Sequence, residues 1–180
     1  EIAFLQEMMS QKGGVFVDIG ANSGLYTIAV AQTARLGSQL LAFEPNPIMG
    51  ERLARNIALN KRVERGEIEI LQMDFAIGDT EADLPLRIAG GDHGAGSLIE
   101  NQDENVAFTV PVRPLIDAWE ELGIHAITAL KIDVEGFEDT ALGAFFDRAQ
   151  PNMLPGSILI EHLAEHRWHR PIIKELLTLG

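Results

Sequence analysis

Val15-Phe16-Val17-Asp18-Ile19-Gly20-Ala21-Asn22-Ser23-Gly24-Leu25-Tyr26-Thr27 is the stretch on which the fold turns. Its first half is a short β-branched run that reads as a buried strand and stops at Gly20. Residues 25–36 then carry Leu25, Ile28 and Ala29 at helical spacing. Strand, glycine turn and helix in that order form a binding turn. Gly20 permits a tight reversal, and Gly24 permits close approach of the backbone to a ligand. The helix start offers N–H groups to a carboxylate or phosphate. Asp18 narrows the choice of ligand. A carboxylate two residues before the first glycine repels a pyrophosphate and attracts an ammonium group. That favours an amino-acid-bearing cofactor over a dinucleotide.

The same alternation continues on either side of this turn. Residues 40–43 read as a second strand, stopped by Glu44-Pro45-Asn46-Pro47. Pro47 is placed to open a helix over 48–60, with Ile48, Leu53, Ile57 and Leu59 on its inner face. Residues 68–71, 129–132 and 158–160 read as third, fourth and fifth strands, and 137–148 as a helix. Connections of this length imply right-handed crossovers and a mostly parallel sheet, a doubly wound, Rossmann-like α/β fold. Residues 76–116 break the rhythm. Runs at 84–88 and 106–110 flank a glycine-rich loop and predict a β-hairpin insertion between the third and fourth core strands.

The length of 180 residues suits a single domain over 1–180. There is no cysteine, which excludes disulfides, thiolate catalysis and cysteine-ligated zinc. No apolar run reaches the roughly 18–20 residues that cross a bilayer. A protein of the cytoplasm, away from membranes, is the expectation. The net charge is −13, and residues 74–139 hold 15 acidic groups against 3 basic ones. Such a surface repels phosphate backbones and argues against a nucleic-acid partner. Arg52, Arg55, Lys61, Arg62 and Arg65 form a local basic exception, read as a solvated helix face.

Glu44 ends the second strand, 20 residues after Gly24. An acidic side chain there accepts hydrogen bonds from both ribose hydroxyls. The third signal is Lys131-Ile132-Asp133-Val134-Glu135-Gly136-Phe137-Glu138, beginning in the fourth strand. Strand alternation sends Lys131, Asp133 and Glu135 to one side, toward the crevice where doubly wound sheets bind ligands. Charges pointing into a crevice need partners, and Lys131 paired with a carboxylate is the plain structural reading.

VFVDIGANSG (15–24), FEPNP (43–47) and KIDVEGFE (131–138) together resemble the FkbM family of S-adenosylmethionine-dependent methyltransferases. GAGSL (94–98), VPVRPLID (110–117) and ILIEH (158–162) extend the resemblance over residues 13–180. It implies a class I methyltransferase sheet and S-adenosyl-L-methionine as cofactor. Asp18, Gly20, Asn22 and Gly24 would surround the methionine part. Glu44 would hold the ribose, with Pro45 and Asn46 beside the adenine. Asp74 and Phe75 match the region that meets the adenine ring. Methyltransferases of this class carry two further strands after the fifth, so the expectation is a sheet lacking its last two strands. With no Met at position 1, a chain trimmed at both ends is also the expectation.

Methyl transfer to oxygen needs positioning and a base for the hydroxyl proton. Asp133, Glu135, Glu161 and His162 are the candidates. Asp133 would lie near the cofactor's amino group or the acceptor, and Glu135 would bind the acceptor or act as base. Asp133, Glu135 and Glu161 are also an oxygen set of the kind a hard cation takes, although no metal is assigned. His93 and the run His166-Arg167-Trp168-His169-Arg170 are candidates for acceptor contact or plain surface. The reading is an O-methyltransferase acting on a hydroxyl of a small molecule or sugar. The acidic middle segment implies an acidic rim and acceptors that are neutral or positive. An NAD-dependent oxidoreductase is the first rival, opposed by Asp18 and by the lack of G-x-G-x-x-G. A non-catalytic binding module retaining the fold is the second.

Overall fold

A computed structural model describes residues 1–88, 96–99 and 105–179. His93, and Gly94 and Ala95 of the GAGSL segment, lie outside these. In chain order the elements are α1 (Ile2–Lys12), β1 (Val15–Ile19), α2 (Leu25–Thr33), β2 (Gln39–Phe43), α3 (Pro47–Ala58) and the single turn α4 (Lys61–Glu64). Next come β3 (Glu69–Met73), β4 (Ala76–Gly78), β5 (Ala82–Ile88), β6 (Gly96–Ser97), β7 (Asn105–Pro114) and α5 (Leu115–Glu121). The chain continues through β8 (Ala129–Ile132), α6 (Glu138–Arg148), β9 (Ile158–Ile160) and α7 (Ile172–Leu179).

The core sheet has five strands in the order β3-β2-β1-β8-β9, all parallel. Strand order reverses at β1, between β2 and β8, and crevices form at such points. Side chains alternate across β1 and divide the core. Phe16 packs with Leu5 and Met9 of α1 and Val30 of α2. Val17 and Ile19 pack on the other side with Trp119 of α5 and Phe145 of α6. Those two rings stack at 5.1 Å. Truncating a buried ring such as Phe16 to Ala costs about 3–5 kcal/mol. No described helix is long and apolar enough to cross a membrane.

The insertion is larger than a hairpin. β5 and β7 form the expected antiparallel pair, but β4 adds to β7 in parallel and β6 to β5, giving a four-stranded sheet ordered β4-β7-β5-β6. Among the described residues, no strand pairs with the outer edge of β9.

Two helix faces differ from the sequence expectation. In α2 the buried residues are Thr27, Val30 and Ala31, while Leu25 is 65% exposed. That helix is apolar nearly all round, so its periodicity carries no phase. The bond from Thr27 to Asp18 marks the face turned inward. In α3 the inner face is Met49, Gly50 and Leu53. The helix ends at Ala58, which leaves Leu59 beyond it and 76% exposed. Its start is as the sequence implies, with Pro47 at the first position and the Asn46 side chain accepting from Ile48 N at 3.0 Å.

Candidate functional site

A cleft of about 330 Å³ opens at the C-terminal ends of β1, β2 and β8. This lies at the lower end of the range of about 300–1,000 Å³ typical of small-molecule sites. The insertion closes one wall through Leu86, Gly96 and Leu98. Of the residues singled out in the sequence, Gly20, Asn22, Glu44, Pro45, Asn46, Phe75, Asp133 and Glu135 line it. Asp18, Gly24, Asp74, Glu161 and His162 do not.

The glycine turn is stitched across the sheet. Gly20 N and Ala21 N both donate to Phe43 O, at 3.0 and 2.9 Å, while Asp133 N donates to Ile19 O at 3.1 Å. Gly20 has a φ of 75°, and a Cβ there would stand 1.9 Å from Asp133 O. Only glycine fits, because the turn and the end of β8 meet backbone to backbone. Gly24 is also glycine for packing. A Cβ there would meet Leu53 Cδ1 at 2.7 Å, on the α3 side and away from the cleft.

Glu44 is only 8% exposed. Its Oε2 accepts from Asn22 N at 2.7 Å and its Oε1 from Asn46 N at 2.8 Å. Burial pushes its carboxyl above the usual range, and these two amides pull it back in part. Each carboxylate oxygen retains a lone-pair site for a further donor. Phe75 is held edge-on to Phe43 with ring centroids 5.4 Å apart, and the Arg113 guanidinium lies 5.0 Å from its centroid. Asp74 precedes it, exposed to solvent.

Asp18 departs from the sequence reading, which placed it against the cofactor's ammonium group. It is fully buried on the α2 side of the sheet. Oδ2 accepts from Thr27 N at 3.1 Å and Thr27 Oγ1 at 2.6 Å. Oδ1 lies 3.2 Å from Lys131 Nζ without hydrogen-bond alignment. Lys131 borders the cleft where Asp18 does not.

At the end of β8 the carboxylates gather. Asp133 lies half-buried, and Glu135 reaches solvent at the cleft's mouth on a left-handed backbone, φ 54°. Desolvation by the surrounding walls raises the Glu135 carboxyl, and Asp133, Glu161 and Glu138 raise it further, against a smaller opposing effect of Arg167. Asp133, Glu138 and Glu161 each bring a carboxylate oxygen within 4.8 Å of the others, so Glu138 takes the place the sequence reading gave Glu135 in that triad. Glu138 is fully buried as a brace: Oε1 accepts from Val134 N and Gly136 N at 2.9 and 3.2 Å, and Oε2 from Trp168 Nε1 at 2.9 Å. Its position at the start of α6 is the one signal the sequence carried for that role. His162 is exposed, outside the cleft. Arg170 is bound to Asp147 and Glu175, so it belongs to the structure of the 162–170 connection.

Comparison with known proteins adds to this geometry. Residues 18–179 match the family profile described as Methyltransferase FkbM domain. Methyltransferase sdnD of Sordaria araneosa is 27% identical, over 68% of this chain and 56% of that protein. The chain thus spans about half the length of that relative. Two solved structures are similar to this chain. Methyltransferase FkbM from Methylobacillus flagellatus KT has 22% identity and a TM-score of 0.43, covering 73% of this chain and 28% of that one. The O-methyltransferase from Bacillus cereus in complex with SAH has 14% identity and a TM-score of 0.50, covering 99% of this chain and 66% of that one.

Proposed function

The chain belongs to the methyltransferase FkbM domain family, and on that premise we propose that it uses S-adenosylmethionine to methylate a hydroxyl oxygen of a small neutral or cationic acceptor. The observation that carries the reading is the pairing, across one cleft, of a buried carboxylate at the end of β2 with a carboxylate pair at the end of β8. Glu44 supports a ribose diol, because both its oxygens are held in place by backbone amides and still accept. Phe75 presents an apolar ring to a planar base.

When bound, the cofactor supplies a methyl group on an electrophilic sulfonium. The protein's part is alignment and the handling of one proton. Glu135 stands at the mouth with a carboxyl raised toward neutrality, the direction that suits a general base. It takes the hydroxyl proton as the acceptor oxygen gains the methyl group. Asp133 beside it orients the acceptor or the cofactor's ammonium group. Glu161 lies close enough to raise the Glu135 carboxyl and adds to the acidic rim, which disfavours anionic acceptors. His162 would serve only an acceptor that extends past the cleft.

The test is turnover of S-adenosylmethionine against a fractionated metabolite extract, followed by mass spectrometry. An S-adenosylhomocysteine-forming reaction that adds one methyl group to an oxygen supports the reading. Methylation confined to nitrogen or carbon acceptors overturns the oxygen assignment. Binding of NAD in place of S-adenosylhomocysteine overturns the whole.

A further inference from the structure

Lys131 is the one cation that lines the cleft among the described residues. Its side chain is 5% exposed, yet it borders ligand space. Nζ donates to Gly20 O at 2.8 Å and has only a long contact, 3.5 Å, with Ile19 O. The Asp18 carboxylate beside it balances its charge without taking a hydrogen bond. Asp133 Oδ2 is 4.0 Å away, and the Tyr26 ring centroid is 5.2 Å away. An ammonium group has three donors. One is committed to Gly20 O and a second bonds weakly to Ile19 O, which leaves one for a ligand in the cleft that Lys131 lines.

A zwitterionic amino-acid arm brings a carboxylate into a cleft whose other charged lining residues, Glu44, Asp133 and Glu135, are all acidic. That carboxylate needs a cation or uncommitted amides. Three amides at and just before the start of α2 are already committed. Ser23 N donates to Asn22 Oδ1, Gly24 N to Ala21 O and Thr27 N to Asp18 Oδ2. The separation also fits. Glu44 follows β2 and Lys131 lies on β8, with β1 between them, so two strand spacings, about 10 Å, part the ribose end from the ammonium group. A methionine arm spans such a distance.

We infer that Lys131 Nζ is the anchor of the cofactor's α-carboxylate, with Asp18 a positioning residue that holds the ammonium group in place from behind. This rests on the S-adenosylmethionine reading above. The sequence reading gave Asp18 a direct contact with the cofactor, and the buried geometry passes that contact to Lys131.

Isothermal titration with S-adenosylhomocysteine and with its decarboxylated analogue, which keeps the amine and lacks the carboxylate, tests the assignment. Charge-assisted hydrogen bonds are among the strong ones. The wild-type protein is expected to prefer S-adenosylhomocysteine by about tenfold or more. Lys131→Met is expected to abolish that preference while changing affinity for the analogue by no more than about threefold. Should Lys131→Met leave Asp18 uncompensated and unfold the chain, the double variant Asp18→Asn/Lys131→Met removes both buried charges and reads the same ratio. A wild-type protein with no preference, or a Lys131→Met variant that retains it, overturns the anchor alone. Failure of the wild-type protein to bind either compound overturns the cofactor reading and the anchor with it.

Discussion

Glu44 Oε2 accepts the backbone N–H of Asn22 at 2.7 Å, so one carboxylate ties the turn after β1 to the end of β2. Asn22 itself has a φ of 54°. The left-handed region costs a non-glycine residue about 1–2 kcal/mol, and a charge-assisted bond to a buried acceptor helps offset it. The side chain proposed to hold the ribose is therefore also the clamp that shapes the loop under it.

Glu44→Gln follows from that double duty. The amide has one oxygen to offer where two backbone N–H groups now bond, so either Asn22 N or Asn46 N loses its acceptor. Affinity for S-adenosylhomocysteine is expected to fall about tenfold or more, read by isothermal titration. Burial raises the carboxyl of the folded protein above its unfolded value. The folded state then binds more protons between those two values, and its stability decreases as pH rises through that window. Urea unfolding between about pH 4 and pH 7 checks the sign. The variant is expected to lose this component of the slope.

Gly20→Ala is expected to damage fold and site together. The added Cβ would stand 1.9 Å from Asp133 O, and the backbone φ is 75°. The strained conformation alone costs about 1–3 kcal/mol, and the clash adds to it. Relief requires moving the end of β8, which carries Asp133 and Glu135. A drop of more than about 2 kcal/mol in unfolding free energy is expected, with weaker S-adenosylhomocysteine binding in the fraction that still folds.

The sheet was legible because its strands are dense in apolar residues and most end at a turn residue. α1 was not: only Leu5 and Met9 are buried along it, too sparse a pattern to set a face. β4 was hidden because three residues, Ala76–Gly78, carry no alternation of their own and pair only with distant β7. Glu44 and Asp133 were legible because each follows a recognisable strand. The roles of Glu138 and Lys131 were not, because burial and partners decide them. Glu138 faces inward only because Val134 N, Gly136 N and Trp168 Nε1 converge on it.

Glu135 holds a left-handed backbone that glycine adopts without strain. Glu135→Gly is expected to keep or raise stability, by up to about 1 kcal/mol in chemical denaturation, while Glu135→Ala retains the strain. Both are expected to lower kcat by a factor of about 10²–10⁴ if the carboxylate is the base. The pH profile gives an independent check. A base works deprotonated, so kcat rises as pH rises through its pKa. Desolvation, Asp133, Glu161 and Glu138 place that rise above the ordinary carboxylate value. Glu135→Gln is expected to remove this limb. A variant that keeps it would hand the role to another group.

Ser97 couples the insertion to the same loop. Its Oγ donates to Glu135 O at 3.1 Å and accepts from Ile99 N at 3.2 Å, and the residue is 5% exposed. Ser97→Ala leaves two partly buried backbone groups short of a partner and lets β6 separate from the end of β8. The loss of a typical hydrogen bond is about 1 kcal/mol, too small to unfold the chain. Glu44 and Phe75 lie on other elements, so S-adenosylhomocysteine affinity is expected to stay within about threefold. The base would lose its fixed position, and misplacing a reacting group by about 1 Å costs about a hundredfold. A fall in kcat of about tenfold or more, with cofactor Kd nearly unchanged and partial recovery in Ser97→Thr, is the expected pattern in steady-state kinetics and titration. A fall in cofactor affinity with kcat intact would make Ser97 part of the cofactor wall.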